Sequence, residues 1–84
     1  MNTKHHKTLQ DVFKDPVSSA IAWTAIEALF VALGATVKEK AGSRVGVFFN
    51  GQVAVFHRPH PQKETDKGAV KSVRRFLQQA GVTP

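Results

Sequence analysis

The sequence predicts an α+β domain with the order helix, three-stranded antiparallel sheet, helix, preceded by a short helical lead-in. Three observations predict it: two apolar runs that flank Asn50-Gly51, a stretch of helical periodicity before them, and a second such stretch after them. Only one face of the predicted sheet is apolar enough to form a core, so both main helices are expected to cover that face. The 84 residues leave room for one core.

The central hairpin follows from Asn50-Gly51. Both residues accept the positive φ of a type I′ turn, and a two-residue loop fixes the register of the strands on either side. Phe49 then faces Gln52, and the pairing continues until Arg44 faces His57. Opposed residues point to the same side of a sheet. The expected core face therefore holds Val45, Val47, Phe49, Ala54 and Phe56, and the open face holds Arg44, Gly46, Phe48, Val53, Val55 and His57.

The first main helix is predicted from an apolar repeat that ends at Gly34, a residue suited to a left-handed helix end. Thr24 and Glu27 have the spacing of a capping box, so we expect Thr24 to cap this helix and Glu27 to reach back to it. Trp23 is expected to pack onto the first turn. Thr36–Lys40 then forms an edge strand whose charges discourage aggregation. The repeat consists of Ile26, Leu29, Phe30 and Leu33.

The last helix is expected to begin after Asp66, a good N-cap, and to close at Gly81. Pro59 and Pro61 stop the third strand before it, because proline cannot donate to a strand ladder. The buried stripe of the helix consists of Val70, Val73, Leu77 and Ala80, with Phe76 at its margin.

The N-terminal segment divides into two parts. Residues 1–7 are polar and basic and are expected to form a mobile tail. Leu9, Val12 and Phe13 recur at helical spacing and predict a short amphipathic helix that ends before Pro16. We therefore expect a tail and helical lead-in over residues 1–23 and a folded domain over residues 24–84.

Composition restricts the classes of function. The formal charge is +6, which favours a polyanionic partner, either nucleic acid or an acidic protein. The chain has no cysteine, which fits a reducing cytoplasm and excludes a thiol nucleophile. We expect no membrane association, because no signal peptide and no apolar run of about 20 residues are present. His5-His6 has no third ligand nearby, and the His57, Arg58, His60 triplet has no cysteine or carboxylate beside it, so we expect no metal and no cofactor.

Read together, the motifs resemble a known family. A helix ending in Leu33-Gly34 precedes a strand, Gly42-Ser43 and the hairpin. Pro59-His60-Pro61 follows, and the last helix closes with Phe76-Leu77-Gln78-Gln79-Ala80-Gly81. This order resembles the HicA toxins, the small ribonuclease partners of HicB antitoxins, over residues 24–81. The resemblance implies a fold like that of a double-stranded-RNA-binding domain, mRNA as ligand and a HicB-like antitoxin as partner.

One position departs from the family pattern. HicA toxins carry a histidine directly after Gly-Ser, and the family depends on it for RNA cleavage. Arg44 stands there in this sequence. The resemblance therefore implies the fold, the ligand and the partner, but not the usual catalytic residue.

Cleavage of RNA without a metal needs a base for the 2′-hydroxyl, an acid for the leaving oxygen and a cation for the phosphate. His57 is the candidate base, because the register sets it opposite Arg44 and a neighbouring arginine disfavours the imidazolium. Arg44 is the candidate phosphate clamp. His60 is a further candidate, although anchoring of the loop or RNA contact is the favoured role there. The alternative is that His57 is hydrogen-bonded to the loop and Arg44 is merely solvated.

The remaining cations and the open face provide candidate binding residues. Lys67, Lys71 and Arg74 lie on one stripe of the last helix, where phosphate binding and a solvated surface are equally open. An antitoxin or a second copy is expected to cover the apolar part of the open face, as a homodimer or a heterotetramer with antitoxin, unless the N-terminal segment folds over it. The candidate RNA-binding residues are Ser43, Arg58, Lys63, Lys67, Lys71, Arg74 and Arg75, and the candidate partner interface is Phe48, Val53 and Val55.

Two other classes of function stay open. One is a double-stranded-RNA or DNA-binding module that uses the last helix without cleavage. The other is a protein-interaction domain that pairs through the open sheet face.

Overall fold

The computed structural model describes all 84 residues and has the predicted α+β architecture. Three helices and one antiparallel sheet follow each other along the chain. The elements are α1 (Thr3–Val12), α2 (Trp23–Ala32), β1 (Thr36–Lys40), β2 (Arg44–Phe49), β3 (Gln52–His57) and α3 (Lys67–Gln79). The sheet has the order β1-β2-β3, so the hairpin strand β2 lies in the middle.

The predicted register of the hairpin is confirmed along its whole length. Phe49 pairs with Gln52 at the turn, and Arg44 pairs with His57 at the far end. Asn50 and Gly51 have φ values of 49° and 77°, the left-handed pair that a type I′ turn requires. The Asn50 side chain also donates to the carbonyl oxygen of Ala80 at 2.9 Å, which ties the turn to the end of α3.

Both main helices cover the same face of the sheet, as predicted. Val45 and Val47 are fully buried, and Phe56 is 6% exposed. Phe30 of α2 and Phe76 of α3 each lie about 6 Å from Phe56 between ring centroids. The prediction that Phe76 lies at the margin of the core is wrong, because the aromatic cluster with Phe30 and Phe56 draws it inside.

The start of α2 differs from the predicted capping box. The helix begins at Trp23 with Ala22 as N-cap, and no side chain caps it. A backbone contact substitutes, because the Trp23 amide donates to the carbonyl oxygen of Lys63 at 3.0 Å. Glu27 does not reach back to Thr24, since its carboxylate accepts a hydrogen bond from Arg58 instead.

The end of each main helix follows the prediction. Gly34 has a φ of 94°, and the Ala35 amide donates to the Phe30 carbonyl in a Schellman closure. Gly81 has a φ of 84° and ends α3 in the same way. At the start of α3, a side-chain oxygen of Asp66 accepts from the Ala69 amide at 2.7 Å, as expected of the N-cap.

The N-terminal segment is more ordered than predicted. Residues 3–7 do not form a tail but the first turns of α1, which begins with Asn2 accepting from the His5 amide at 3.0 Å. Leu9 and Val12 belong to the same buried cluster as α2 and α3. The helix therefore packs on the helical side of the domain and leaves the open face of the sheet uncovered.

Candidate functional site

A solvent-open cavity of about 510 Å³ lies between the end of β3, the following loop and the start of α3. His57, the last residue of β3, lines it together with His60 of the loop. The fourteen side-chain hydrogen bonds of the protein include none from either imidazole. Both rings therefore have free nitrogens at a shared cavity.

The remaining wall of the cavity is polar. Glu64 and Asp66 bring two carboxylates to it, and Asp66 is already used as the cap of α3. Thr65 is 1% exposed, and its hydroxyl has no hydrogen-bond partner. Ser19, from the segment before α2, completes the rim. Sequence periodicity gave no indication of Ser19, Glu64 or Thr65, because these residues lie in loops that meet only in the fold.

Two backbone contacts hold this loop in place. The Thr65 amide donates to the Ile21 carbonyl at 2.8 Å, and the Trp23 amide donates to the Lys63 carbonyl at 3.0 Å. Together the two hydrogen bonds form the isolated antiparallel bridge between Ala22 and Glu64. These contacts run between the loop before α3 and the segment before α2. The cavity wall is thus fixed by main-chain hydrogen bonds as well as by side chains.

Arg58 fixes the other wall. Its guanidinium donates to Glu27 of α2 at 3.0 Å and to Glu39 of β1 at 2.8 Å. The hydrogen bond to Glu39 and then the one to Glu27 raise the pKa of Arg58 above its already high ordinary value. This forked contact ties the end of β3 to two other elements and pairs the positive charge of Arg58 with two carboxylates.

The open face of the sheet is arranged in three rows, each with one residue from every strand. The row nearest the hairpin turn is Thr36, Phe48 and Val53, and the middle row is Lys38, Gly46 and Val55. The far row is Lys40, Arg44 and His57. The face therefore changes from apolar at the turn to basic at the end that meets the cavity.

Arg44 and His57 are neighbours across the hairpin, but only His57 lines the cavity. The Arg44 Nε donates to the Ala41 carbonyl at 2.9 Å, which holds its side chain over the β1–β2 turn. His57 belongs to both the cavity and the basic row. It is the residue at which these two features join.

The cations of α3 divide into two groups. Arg74 donates to the carbonyl oxygens of Val12 and Lys14 and pairs with Asp15 at 3.3 Å. These contacts anchor the N-terminal helix and leave few guanidinium hydrogens free to bind a phosphate. Lys67, Lys71 and Arg75 are exposed and take part in none of the four salt bridges.

The candidate partner interface is exposed. Phe48 is 36% accessible, Val53 64% and Val55 48%, although each lies within a strand of the sheet. The α1 helix lies against the other two helices and does not cover this face.

No group of three or more histidine, cysteine, aspartate and glutamate side chains is placed to hold a metal ion. None of the helices combines the length and the apolar character that a membrane crossing requires.

The fold and the site define a small basic α+β domain with a histidine-lined cavity. The family model of the HicA toxin of bacterial toxin–antitoxin systems matches residues 23–82, so the chain belongs to the HicA toxin family. Its class is therefore the toxin of a toxin–antitoxin pair. The match begins at the first residue of α2 and leaves α1 outside. Comparisons with curated proteins and with solved structures gave no match.

Proposed function

We propose that this toxin binds and cleaves mRNA without a metal ion and is neutralised by a HicB-like antitoxin. Family membership supports the class of activity. The observation that carries the proposal is that His57 and His60 line one open cavity, next to a basic row that contains Arg44. Two imidazoles at one site can provide both the base and the acid that cleavage of RNA by side chains alone requires.

In the proposed reaction, neutral His57 accepts the proton of a ribose 2′-hydroxyl. The 2′-oxygen attacks the adjacent phosphorus, and the 5′-oxygen leaves with a proton donated by protonated His60. The products are a 2′,3′-cyclic phosphate end and a 5′-hydroxyl end. Charge on the phosphate increases along this path, so a nearby guanidinium stabilises the transition state.

Arg44 provides that guanidinium in the proposal. It stands where the family has its histidine, and it faces His57 directly on the neighbouring strand. The only hydrogen bond of its side chain, to the Ala41 carbonyl, comes from Nε, so the two terminal nitrogens remain available for a phosphate.

RNA would approach across exposed cations on either side of the cavity. Lys67 is the first residue of α3, and Lys71 lies one turn further along the helix. On the other side, Lys40 and Arg44 extend the row that begins at His57. Lys63, Ser43 and Arg75 lie at the periphery, whereas Arg58 and Arg74 hold the fold together through their ion pairs.

The antitoxin is proposed to cover Phe48, Val53 and Val55 on the open face. Three exposed apolar side chains on one face of the sheet support this proposal, because contiguous apolar surface is typical of interaction sites. Occupation of this face would also bring the antitoxin next to the basic row, where it would compete with RNA.

The proposal is tested by incubating the purified protein with RNA in the presence of EDTA. Chain cleavage that leaves 2′,3′-cyclic phosphate ends is expected. Absence of cleavage, or cleavage only after a divalent cation is added, would contradict it.

A second candidate function is favoured by one observation, the arginine at the family's histidine position. A toxin that has lost its chemistry would bind RNA through the same basic surface and leave it intact. RNA binding without cleavage in the EDTA assay would support this candidate.

A further inference from the structure

The outer edge of β3 is unpaired and unprotected. β3 forms hydrogen bonds with β2 only and is therefore an edge of the sheet. The other edge, β1, carries Lys38, Glu39 and Lys40, the charged residues that protect exposed strands from wrong pairing. Residues 52–57 of β3 contain no Lys, Arg, Asp or Glu.

The ladder determines which backbone groups point outward. The Arg58 amide donates to the Ser43 carbonyl at 2.9 Å, so this pair is hydrogen-bonded and the next pair, Arg44 with His57, is not. Alternation along the ladder then gives Val53, Val55 and His57 outward-pointing N–H and C=O groups. These three residues form a template for a further strand.

A shallow groove of about 180 Å³ runs along this edge between β3 and α3. Val53 and Val55 lie on its sheet side, and Phe76 closes its floor. Arg75 lies on the helix side, forms none of the salt bridges and has no carboxylate among the groove residues. The groove thus combines free backbone groups, apolar side chains and one unpaired positive charge.

We propose that the outer edge of β3 accepts an extended strand from an acidic protein partner, which enlarges the sheet to four strands. This proposal rests on the proposed antitoxin contact and adds its binding mode. The side chains of an added strand alternate between faces. Apolar residues of the added strand would lie beside Val53 and Val55, and acidic residues would lie over Arg75.

Charge argues against a second copy of this chain in the groove. Pairing of two β3 strands about a twofold axis would bring the two α3 helices, and with them the two Arg75 side chains, toward each other. Each copy has a formal charge of +6, and α3 has no acidic residue after its cap at Asp66. An acidic strand would be attracted to the positive charge of the same groove, whereas a second copy of this chain would be repelled.

The test uses the full-length ¹⁵N-labelled protein and a synthetic peptide with the sequence Ac-EVEVEVE-NH₂. On peptide binding, the amides of Val53, Val55 and His57 are expected to shift and to become protected from hydrogen exchange. The amides of Ala54 and Phe56, already bonded to β2, should change less. A peptide with lysine in place of glutamate, and one with proline at the central valine, are expected to bind at least about fivefold more weakly.

Two variants complete the test. Arg75→Glu is expected to weaken peptide binding about fivefold or more, while the matched control Lys71→Glu, outside the groove, changes it less than about twofold. Val55→Pro removes one outward amide without removing a β2–β3 hydrogen bond, and is expected to abolish binding with an unchanged melting temperature. If the Val55→Pro protein does not fold, peptide binding by Arg75→Glu is the deciding measurement.

Absence of binding at millimolar peptide, equal binding of the lysine peptide, or shifts confined to β1 would overturn the proposal. Sedimentation showing a dimer that Val55→Pro dissociates would also overturn it and assign the edge to a second copy. RNA cleavage is measured separately without peptide. Cleavage without peptide binding contradicts strand addition only, and peptide binding without cleavage contradicts only the proposed chemistry.

Discussion

Arg44 and His57 lie directly opposite each other on the two strands of the central hairpin, at a position where the strands exchange no hydrogen bond. Side chains at such positions approach closely, with Cβ atoms about 4.5–5.5 Å apart. In the proposed reaction, one phosphate group would contact the guanidinium and the imidazole together. This pairing sets the arginine that follows Gly42-Ser43 beside a histidine on the neighbouring strand.

Arg44→Ala is expected to weaken both RNA binding and cleavage, because the guanidinium would contact the phosphate in the ground state and in the transition state. Single-turnover kinetics at varied protein concentration separate the two effects. Lys38→Ala, on the middle row of the same face, is the matched control. An Arg44→Ala protein that binds and cleaves like the unaltered one would remove Arg44 from the site.

The salt dependence of RNA affinity is expected to become shallower when Lys67 and Lys71 are both replaced by glutamine. Each phosphate contact with single-stranded RNA contributes roughly 0.7 to the slope of log K against log salt, so two contacts account for about 1.4. Lys4→Gln with Lys14→Gln changes the same charge on exposed residues at the N-terminal end. If both double variants have the same salt slope, Lys67 and Lys71 are solvated surface residues that do not contact phosphate.

Arg74→Ala is expected to destabilise the fold by about 1–3 kcal/mol, because Arg74 donates to two main-chain carbonyls of the N-terminal segment and pairs with Asp15. Chemical denaturation measures this loss. Arg75→Ala, its exposed neighbour, should cost less than about 0.5 kcal/mol. If the Arg74→Ala protein is stable but binds RNA more weakly, Arg74 binds phosphate and does not stabilise the fold.

Arg58→Lys is expected to lower the melting temperature while leaving the salt slope of RNA binding unchanged. A single ammonium cannot reproduce the forked contact with Glu27 and Glu39, although the charge is kept. The pKa of Arg58 is raised in the folded protein, so the ion pairs stabilise the fold fully below the ordinary arginine pKa. This stabilisation is lost only as the pH rises through the higher pKa of the folded protein. The stability difference between the two proteins should therefore be constant between pH 7 and pH 9, as thermal melts would show. A difference that shrinks across this range would contradict the ion-pair account.

The sequence predicted the hairpin correctly because the Asn50-Gly51 turn is local and fixes every later pair. It could not predict the start of α2, since the partner of the Trp23 amide is Lys63, 40 positions away in the chain. The capping-box spacing of Thr24 and Glu27 was misleading for the same reason, because Arg58 takes the Glu27 carboxylate.

The candidate site was predictable only in part. Register alone brought Arg44 and His57 together, and residue type left His57 and His60 as the candidate catalytic histidines. The contributions of Ser19, Glu64 and Thr65 depend on contacts between two loops that have no periodic pattern. The structural roles of Arg58 and Arg74 were likewise hidden, because a cation bound to distant carboxylates has the same sequence signature as a free one.

The central claim is that His57 is the base of a metal-independent ribonuclease, and its most direct test is the cleavage rate of His57→Ala in EDTA. We expect a loss of about 10² to 10⁴ in rate, with the fold and RNA binding preserved, because a positioned base contributes that much. His6→Ala, an exposed histidine of α1, should cleave at the unaltered rate. Equal cleavage by the unaltered protein and His57→Ala, or no cleavage by either, would contradict the account.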